Sequence, residues 1–189
     1  MKKICEDVYK IAGDGNVYLI LKPEPAVIDT GNFSDGKRIK SEIEKIIPAG
    51  KIKKVLLTHL HYDHSGNAGI FPNARVYASA EEIEDFRKNP EHFFFGFYSF
   101  KEVSKAELIN LPSEILGLEV LKVPGHTRGS VAFIDKKRKL LFSGDTLFFN
   151  GIGRTDFPNS VPEKMNSSLK KLVDLVRNKK YNLLPGHDY

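Results

Sequence analysis

The chain has 189 residues, 41% of them hydrophobic and 28% charged, with a net charge of +5. That length suits one domain with a sizeable core, expected here as a single unit over residues 1–189, and the composition is ordinary for a soluble globular protein. No apolar run is long enough to span a bilayer. The start, Met-Lys-Lys-Ile-Cys-Glu-Asp, has no apolar signal core, and the single Cys5 rules out an intramolecular disulfide, so a reducing cytoplasm is the expected compartment. Lysines and arginines fall in short scattered clusters without interleaved aromatics, which argues against nucleic-acid binding.

In chain order, short strands are predicted at residues 4–9, 16–21 and 26–29, rich in apolar and β-branched side chains and broken by glycine and proline. Asp29-Thr-Gly31 turns the chain. Ser34 then reads as the N-cap of a helix to about residue 47, with Ile39, Ile43, Ile46 and Ile47 on one face, and Pro48 and Gly50 stop it. Residues 53–57 read as a buried strand. A short helix near 66–70, a strand at 75–78 and a helix at 81–87 follow. Residues 89–100, Asn-Pro-Glu-His-Phe-Phe-Phe-Gly-Phe-Tyr-Ser-Phe, have no clear period; the run suits a cover over a pocket, a dimer contact, or a loop whose rings plug the core. Strands at 119–123, 130–135 and 140–143, a helix at 162–177 that opens on proline and a strand at 181–184 complete the pattern. Strands, a helix and a strand that delivers histidines recur in both halves, which fits a sheet-on-sheet core with helices outside.

The stretch Thr58-His-Leu-His-Tyr-Asp-His64 places three histidines and an aspartate just past an apolar strand. Neutral imidazole is the commonest side-chain metal ligand and carboxylate a regular companion. Three further candidates share that setting: His126 after Val-Pro-Gly, Asp145 after Phe-Ser-Gly, and His187 after Leu-Pro-Gly. In each, a strand end is followed by a glycine, which permits a tight turn and close approach, and then by a potential ligand. Alone, His126 or His187 reads as a surface or core histidine. Together, five histidines and two aspartates at repeated strand ends point to metal. Cys5 reads as a small buried hydrophobe near the first strand.

The set His59-x-His61-x-Asp63-His64, His126, Asp145 and His187, with the Asp29-Thr-Gly31 turn, resembles the metallo-β-lactamase superfamily. That resemblance implies an α/β fold, an αββα sandwich with the metal site at one edge of the two sheets. It further implies two divalent ions: one held by His59, His61 and His126, the other by Asp63, His64 and His187, with Asp145 bridging. The donors suit zinc, iron and manganese alike; zinc is the first expectation. Bound cations lower the pKa of a water from 15.7 to about 7, and Asp63 is the candidate to orient that water and take a proton.

The segment Gly153-Arg-Thr-Asp-Phe157 is similar to glyoxalase II-like hydrolases of the short prokaryotic type. It implies hydrolysis of a thioester such as a hydroxyacylglutathione, or of a related small ester. Arg154 is the candidate to pair with a substrate carboxylate, or else it forms an internal ion pair with Asp156. The same segment occurs in persulfide dioxygenases, which use one iron; that activity, a lactonase, and a non-catalytic domain stabilised by metal are the alternatives. Glyoxalase II carries a C-terminal helical domain that helps grip glutathione. No such domain is expected here, and this leaves the carrier thiol open. The expected partner is a small molecule, with neither nucleic acid nor membrane, for a monomer or homodimer.

Overall fold

Side-chain alternation along the strands sorts this chain into layers. In the computed structural model, which describes residues 1–94 and 106–189, β1 (Lys2–Cys5), β2 (Val8–Ile11), β3 (Val17–Ile20) and β4 (Ala26–Ile28) pair antiparallel in sequence order. β5 (Lys54–Leu56), β6 (Arg75–Ala78) and β7 (Leu108–Asn110) extend the same sheet in parallel. Parallel neighbours need long crossovers. Here these carry α1 (Gly36–Glu44), α2 (Tyr62–Ser65), α3 (Ala80–Lys88) and α4 (Glu91–Phe94). The second sheet holds β8 (Glu114–Ile115), β9 (Leu118–Lys122), β10 (Val131–Asp135), β11 (Leu140–Gly144) and β12 (Asn182–Pro185), in the order β12-β11-β10-β9-β8. Helix α5 (Pro162–Arg177) links β11 to its parallel partner β12.

Successive strand residues face opposite ways. Tyr18 and Ile20 of β3 therefore enter the layer between the sheets with Phe133 of β10 and Phe142 of β11, where the Tyr18 and Phe142 rings meet edge-on at 5.1 Å. Val17 and Leu19 face the other way and pack under Ile39 and Ile43 of α1 and Ile83 and Phe86 of α3. On the far side, Ala132, Ile134 and Leu141 are covered by Leu172 and Leu175 of α5. Three apolar layers thus join four tiers, helix, sheet, sheet and helix, which is the expected αββα sandwich. Each fully buried leucine, isoleucine or phenylalanine contributes about 1.5–3 kcal/mol.

Local boundaries differ from the expectation in instructive ways. The predicted strand at 4–9 is two strands joined by a hairpin, and Asp7 takes φ 62° at its tip; aspartate tolerates the left-handed region, so no glycine marks the turn. The helix predicted from Ser34 begins as a 3-10 turn, Phe33–Asp35, capped by Asn32, whose side chain accepts from the Ser34 N–H. It ends at Glu44, and Ile46 stays 42% exposed. The helical turn expected at 66–70 starts earlier, as α2, and a 3-10 turn follows at Ala68–Ile70. Strands β7 and β8 are too short to give a period and were not predicted. In the aromatic run, Phe93 and Phe94 plug the core beside Phe86; its remainder, 95–100, lies outside the described residues. Among the described residues, no helix is long and apolar enough to cross a membrane.

Topology then aims the chemistry. β4, β5 and β6 run parallel, and β9, β11 and β12 share one direction because β9 and β11 both oppose β10. The loops leaving their C-terminal ends carry Asp29, His59 to His64, His126, Asp145 and His187 to a common edge.

Candidate metal centre

The structure brings all seven sequence-predicted ligands together. One nitrogen each from His59, His61 and His126 lie within 4.8 Å of one another, as do donor atoms of Asp63, His64 and His187, and of His59, His64 and Asp145. The Asp145 carboxylate reaches both halves: Oδ2 lies 3.6 Å from His126 Nε2 and 3.2 Å from His187 Nε2, and Oδ1 lies 3.2 Å from His64 Nε2. Asp63 Oδ2 is 3.2 Å from His187 Nε2. Glycines make this closeness possible. A Cβ on Gly186 would stand 2.1 Å from Asp145 Oδ1, and one on Gly153 would stand 1.8 Å from the Asp145 carbonyl oxygen.

Hydrogen bonds behind the cluster orient four of its five histidines. Asp29, buried and held at φ 55°, accepts from the Thr58 N–H and the Thr58 hydroxyl, both at 2.8 Å. A carboxylate cannot donate, so the Thr58 hydroxyl spends its proton there and accepts from His59 Nδ1 at 3.1 Å. His59 Nε2 therefore presents its lone pair to the site. Asp29 Oδ2 also accepts from His64 Nδ1–H at 2.9 Å. His126 Nδ1 donates to the Arg154 carbonyl at 2.7 Å, which leaves its Nε2 free to ligate. His61 turns Nε2 toward Asn159 Oδ1 at 3.4 Å and sets Nδ1 2.9 Å from His126 Nε2. Such outer partners orient metal-bound imidazoles.

Charge divides the cluster. Burial drives His59 well below the ordinary histidine range, helped by His64, His126 and His61, and pushes His61 down to about 3; His126 is lowered mainly by burial as well. This half is neutral imidazole. In the other half, burial would also lower His64, but Asp145, Asp63 and Asp29 outweigh it and hold it well above normal. Burial would lower His187 as well, but its hydrogen bonds to the Asp145 and Asp63 carboxylates overcome burial and raise it to about 9. Burial opposes ionisation of Asp63 too, yet His64 and His187 keep its carboxyl below the usual range. The carboxylates thus gather positive charge in this half of the cluster.

Among the described residues, four buried side-chain atoms have no hydrogen-bond partner, and two of them, His59 Nε2 and Asp145 Oδ1, belong to this cluster. A buried acceptor left unpaired costs about 1–3 kcal/mol. The His59 Nε2 lone pair, which meets no donor although carboxylates and neutral imidazoles surround it, fits a cation.

The cluster floors a cavity of about 790 Å³ whose wall includes Tyr62, Phe148, Ile152, Arg154 and Tyr189. Of the two readings of Arg154, the structure shows the ion pair: Nη2 is 2.7 Å and Nε 2.9 Å from the Asp156 carboxylate, and the guanidinium lies 4.7 Å from the Phe157 ring centre. Its main-chain grip on His126 was not foreseen. Nor were Thr58, Asn159 and Asn67, whose side-chain amide donates to the carbonyls of Thr30, Gly31 and Asn32 and clamps the Asp29 turn against α2. Asparagine after a histidine motif carries no sequence signal of that role.

A sequence profile described as metallo-beta-lactamase superfamily matches residues 11–187. Hydroxyacylglutathione hydrolase GloC of Haemophilus influenzae is 35% identical over 86% of this chain and 79% of its own length. A hydroxyacylglutathione hydrolase of Methylobacillus flagellatus is 35% identical over 74% of this chain, a match that spans 50% of that protein. Among solved structures, TTHA1623 in a di-iron-bound form superposes with a TM-score of 0.74 at 26% identity, over 96% of this chain and 93% of the other.

Proposed function

This chain belongs to the metallo-beta-lactamase superfamily, with glyoxalase II-like relatives, and on that premise we propose that it is a two-metal hydrolase of a small thioester or related ester. The observation that carries the proposal is the gathering of seven donors in three overlapping groups, two of which include His59 with its unpartnered, buried Nε2. His59, His61 and His126 would hold one cation, Asp63, His64 and His187 the other, and Asp145 would serve both. When bound, the two cations would supply Lewis acidity and bring a water's pKa from 15.7 to about 7.

The chain's own groups suit the remaining work. Asp63 is ionised, 15% exposed at its side chain, and lines the cavity. It can orient a water by accepting its proton and later release that proton to the departing group. A thiol ionises near pH 8.5, so a thiolate departs without a strong general acid, and a carboxylate base suffices. Tyr62 and Tyr189 at the cavity wall are both raised by burial and so stay protonated. Phe148 packs edge-on against His187 at 5.8 Å and Tyr189 stacks on it at 5.1 Å, which keeps solvent from one side of the ring. Arg154 remains the candidate for a substrate carboxylate, through whichever donor face its pairing with Asp156 leaves available.

The test is metal analysis of the purified protein with parallel assays on acyl-glutathione, acyl-CoA and lactone substrates, and oxygen uptake with glutathione persulfide. Two metal equivalents and hydrolysis of a thioester support the proposal. Hydrolysis of none of these sinks it, and one iron with oxygen uptake replaces it with the dioxygenase reading.

A further inference from the structure

Glu82 on the first turn of α3 is 1% exposed and lies outside every metal motif. Its two oxygens hold two different loops. Oε2 accepts the Leu60 N–H at 2.7 Å, and Leu60 sits between His59 and His61. Oε1 accepts the Thr127 hydroxyl at 2.6 Å and the Gly129 N–H at 3.2 Å, on the loop that begins with His126. Having donated to the carboxylate, the Thr127 hydroxyl accepts from Ser130 Oγ at 2.7 Å, and Ser130 Oγ in turn accepts the Thr127 N–H at 3.1 Å. The second loop also lies directly on the helix end: Ser79, the N-cap of α3, donates to the Gly129 carbonyl at 2.7 Å, and a Cβ on Gly129 would stand 2.5 Å from Glu82 N. One further main-chain bond, Val131 N–H to Thr58 O at 2.9 Å, stitches the same seam between the sheets.

We infer that Glu82 is a positioning residue for the His59–His61–His126 set: one buried carboxylate fixes the separation between the loop carrying the first two histidines and the loop carrying the third. This rests on the reading that these histidines hold a metal. The effect is confined to one half of the centre, because the other half has its own supports. His64 is held by Asp29, and the His187 loop is held by Asn16, which bonds the carbonyls of Gly186 through its N–H at 2.8 Å and of Pro185 through its side chain at 3.0 Å. Three donors converge on Glu82, and only an acceptor-only group satisfies them all. Glutamine, equal in shape, turns an amide NH2 on at least one of them.

The experiment titrates metal-free protein with cobalt(II), against a competing chelator, and follows the visible bands of each bound equivalent. For Glu82→Gln, one equivalent is expected to bind about 10- to 100-fold more weakly, with its band shifted, while the other binds as in wild type. Thr127→Val removes one of the three donors and is expected to give a smaller loss at the same equivalent. Wild-type affinity for both equivalents in Glu82→Gln overturns the inference, and so does equal weakening of both, which general loss of stability would produce. If Glu82→Gln does not fold, Thr127→Val decides by the same criteria. A wild-type protein that takes up no cobalt would instead overturn the metal reading itself.

Discussion

Replacing His59 with leucine should change stability with opposite consequences in the metal-free and metal-loaded protein. His59 is fully buried and its Nε2 meets no hydrogen donor. Without a cation, that unpaired acceptor costs about 1–3 kcal/mol. Leucine removes the cost. It also forfeits the Nδ1 bond to Thr58, about 1 kcal/mol, but the Thr58 hydroxyl keeps its acceptor in Asp29. The metal-free variant should therefore match wild type or exceed it by up to about 2 kcal/mol, the difference of those two estimates. With metal at a hundred times its dissociation constant, wild type gains about 2.7 kcal/mol per site, and the variant loses one of that site's three histidines. In a chain of this length 1 kcal/mol moves the melting temperature about 2–4 °C, so the rise on adding zinc should shrink by about 5–11 °C. Thermal melts in chelator and in excess zinc measure this directly. If His59→Leu lowers the melting temperature equally in both, His59 is an ordinary packed side chain and the reasoning fails.

Asp29→Asn keeps the backbone, since asparagine tolerates φ 55° as well as aspartate does, but its amide NH2 cannot accept from both Thr58 and His64; metal affinity should fall about 10- to 100-fold, read by chelator competition, and wild-type affinity would refute the tautomer assignment. Gly153→Ala forces a methyl 1.8 Å from the Asp145 carbonyl and 3.1 Å from His126 Nδ1; it should cost about 1–3 kcal/mol in stability and release metal, as denaturant melts and metal analysis would show. Arg154→Ala retains the carbonyl that orients His126, so metal content and melting temperature should hold while KM rises for substrates bearing a carboxylate and not for neutral esters; loss of metal would mean that the side chain, not the carbonyl, secures His126.

What the sequence disclosed and what it hid follow from one distinction. The candidate ligands were legible because they carry their context: His59 to His64 cluster just past an apolar strand, and His126, Asp145 and His187 each follow an apolar strand and a glycine whose replacement would collide with a neighbour. The layers were legible because Val17, Tyr18, Leu19 and Ile20 are apolar in unbroken succession, as a strand buried on both faces must be. Several supporting groups were hidden because their partners are largely main-chain atoms. Glu82 looks like any acid in the first turn of a helix, since its meaning lies in the N–H groups of Leu60 and Gly129, which no side chain reports. Asn67 is hidden in the same way by the carbonyls it binds. The turn at Asp7 escaped because aspartate adopted a conformation usually marked by glycine.

Those hidden supports also explain where the fold is uncomfortable. Asp29 holds a left-handed backbone, a strain of about 1–3 kcal/mol that surroundings must over-determine. It does so at the one point where a carboxylate can serve Thr58 and His64 together. His59 keeps an unpaired nitrogen, and His64 lies among three carboxylates that hold it protonated. A sequence selected for packing alone would place leucine or phenylalanine at this seam, as it does one layer deeper with Tyr18 and Phe142. Cations held as proposed would recover the local cost and tie His59, His61, Asp63 and His64 of the first sheet to His126, Asp145 and His187 of the second. Metal uptake and the docking of the two sheets would in that sense be one equilibrium, because a ligand that binds only the assembled edge stabilises the whole sandwich by mass action.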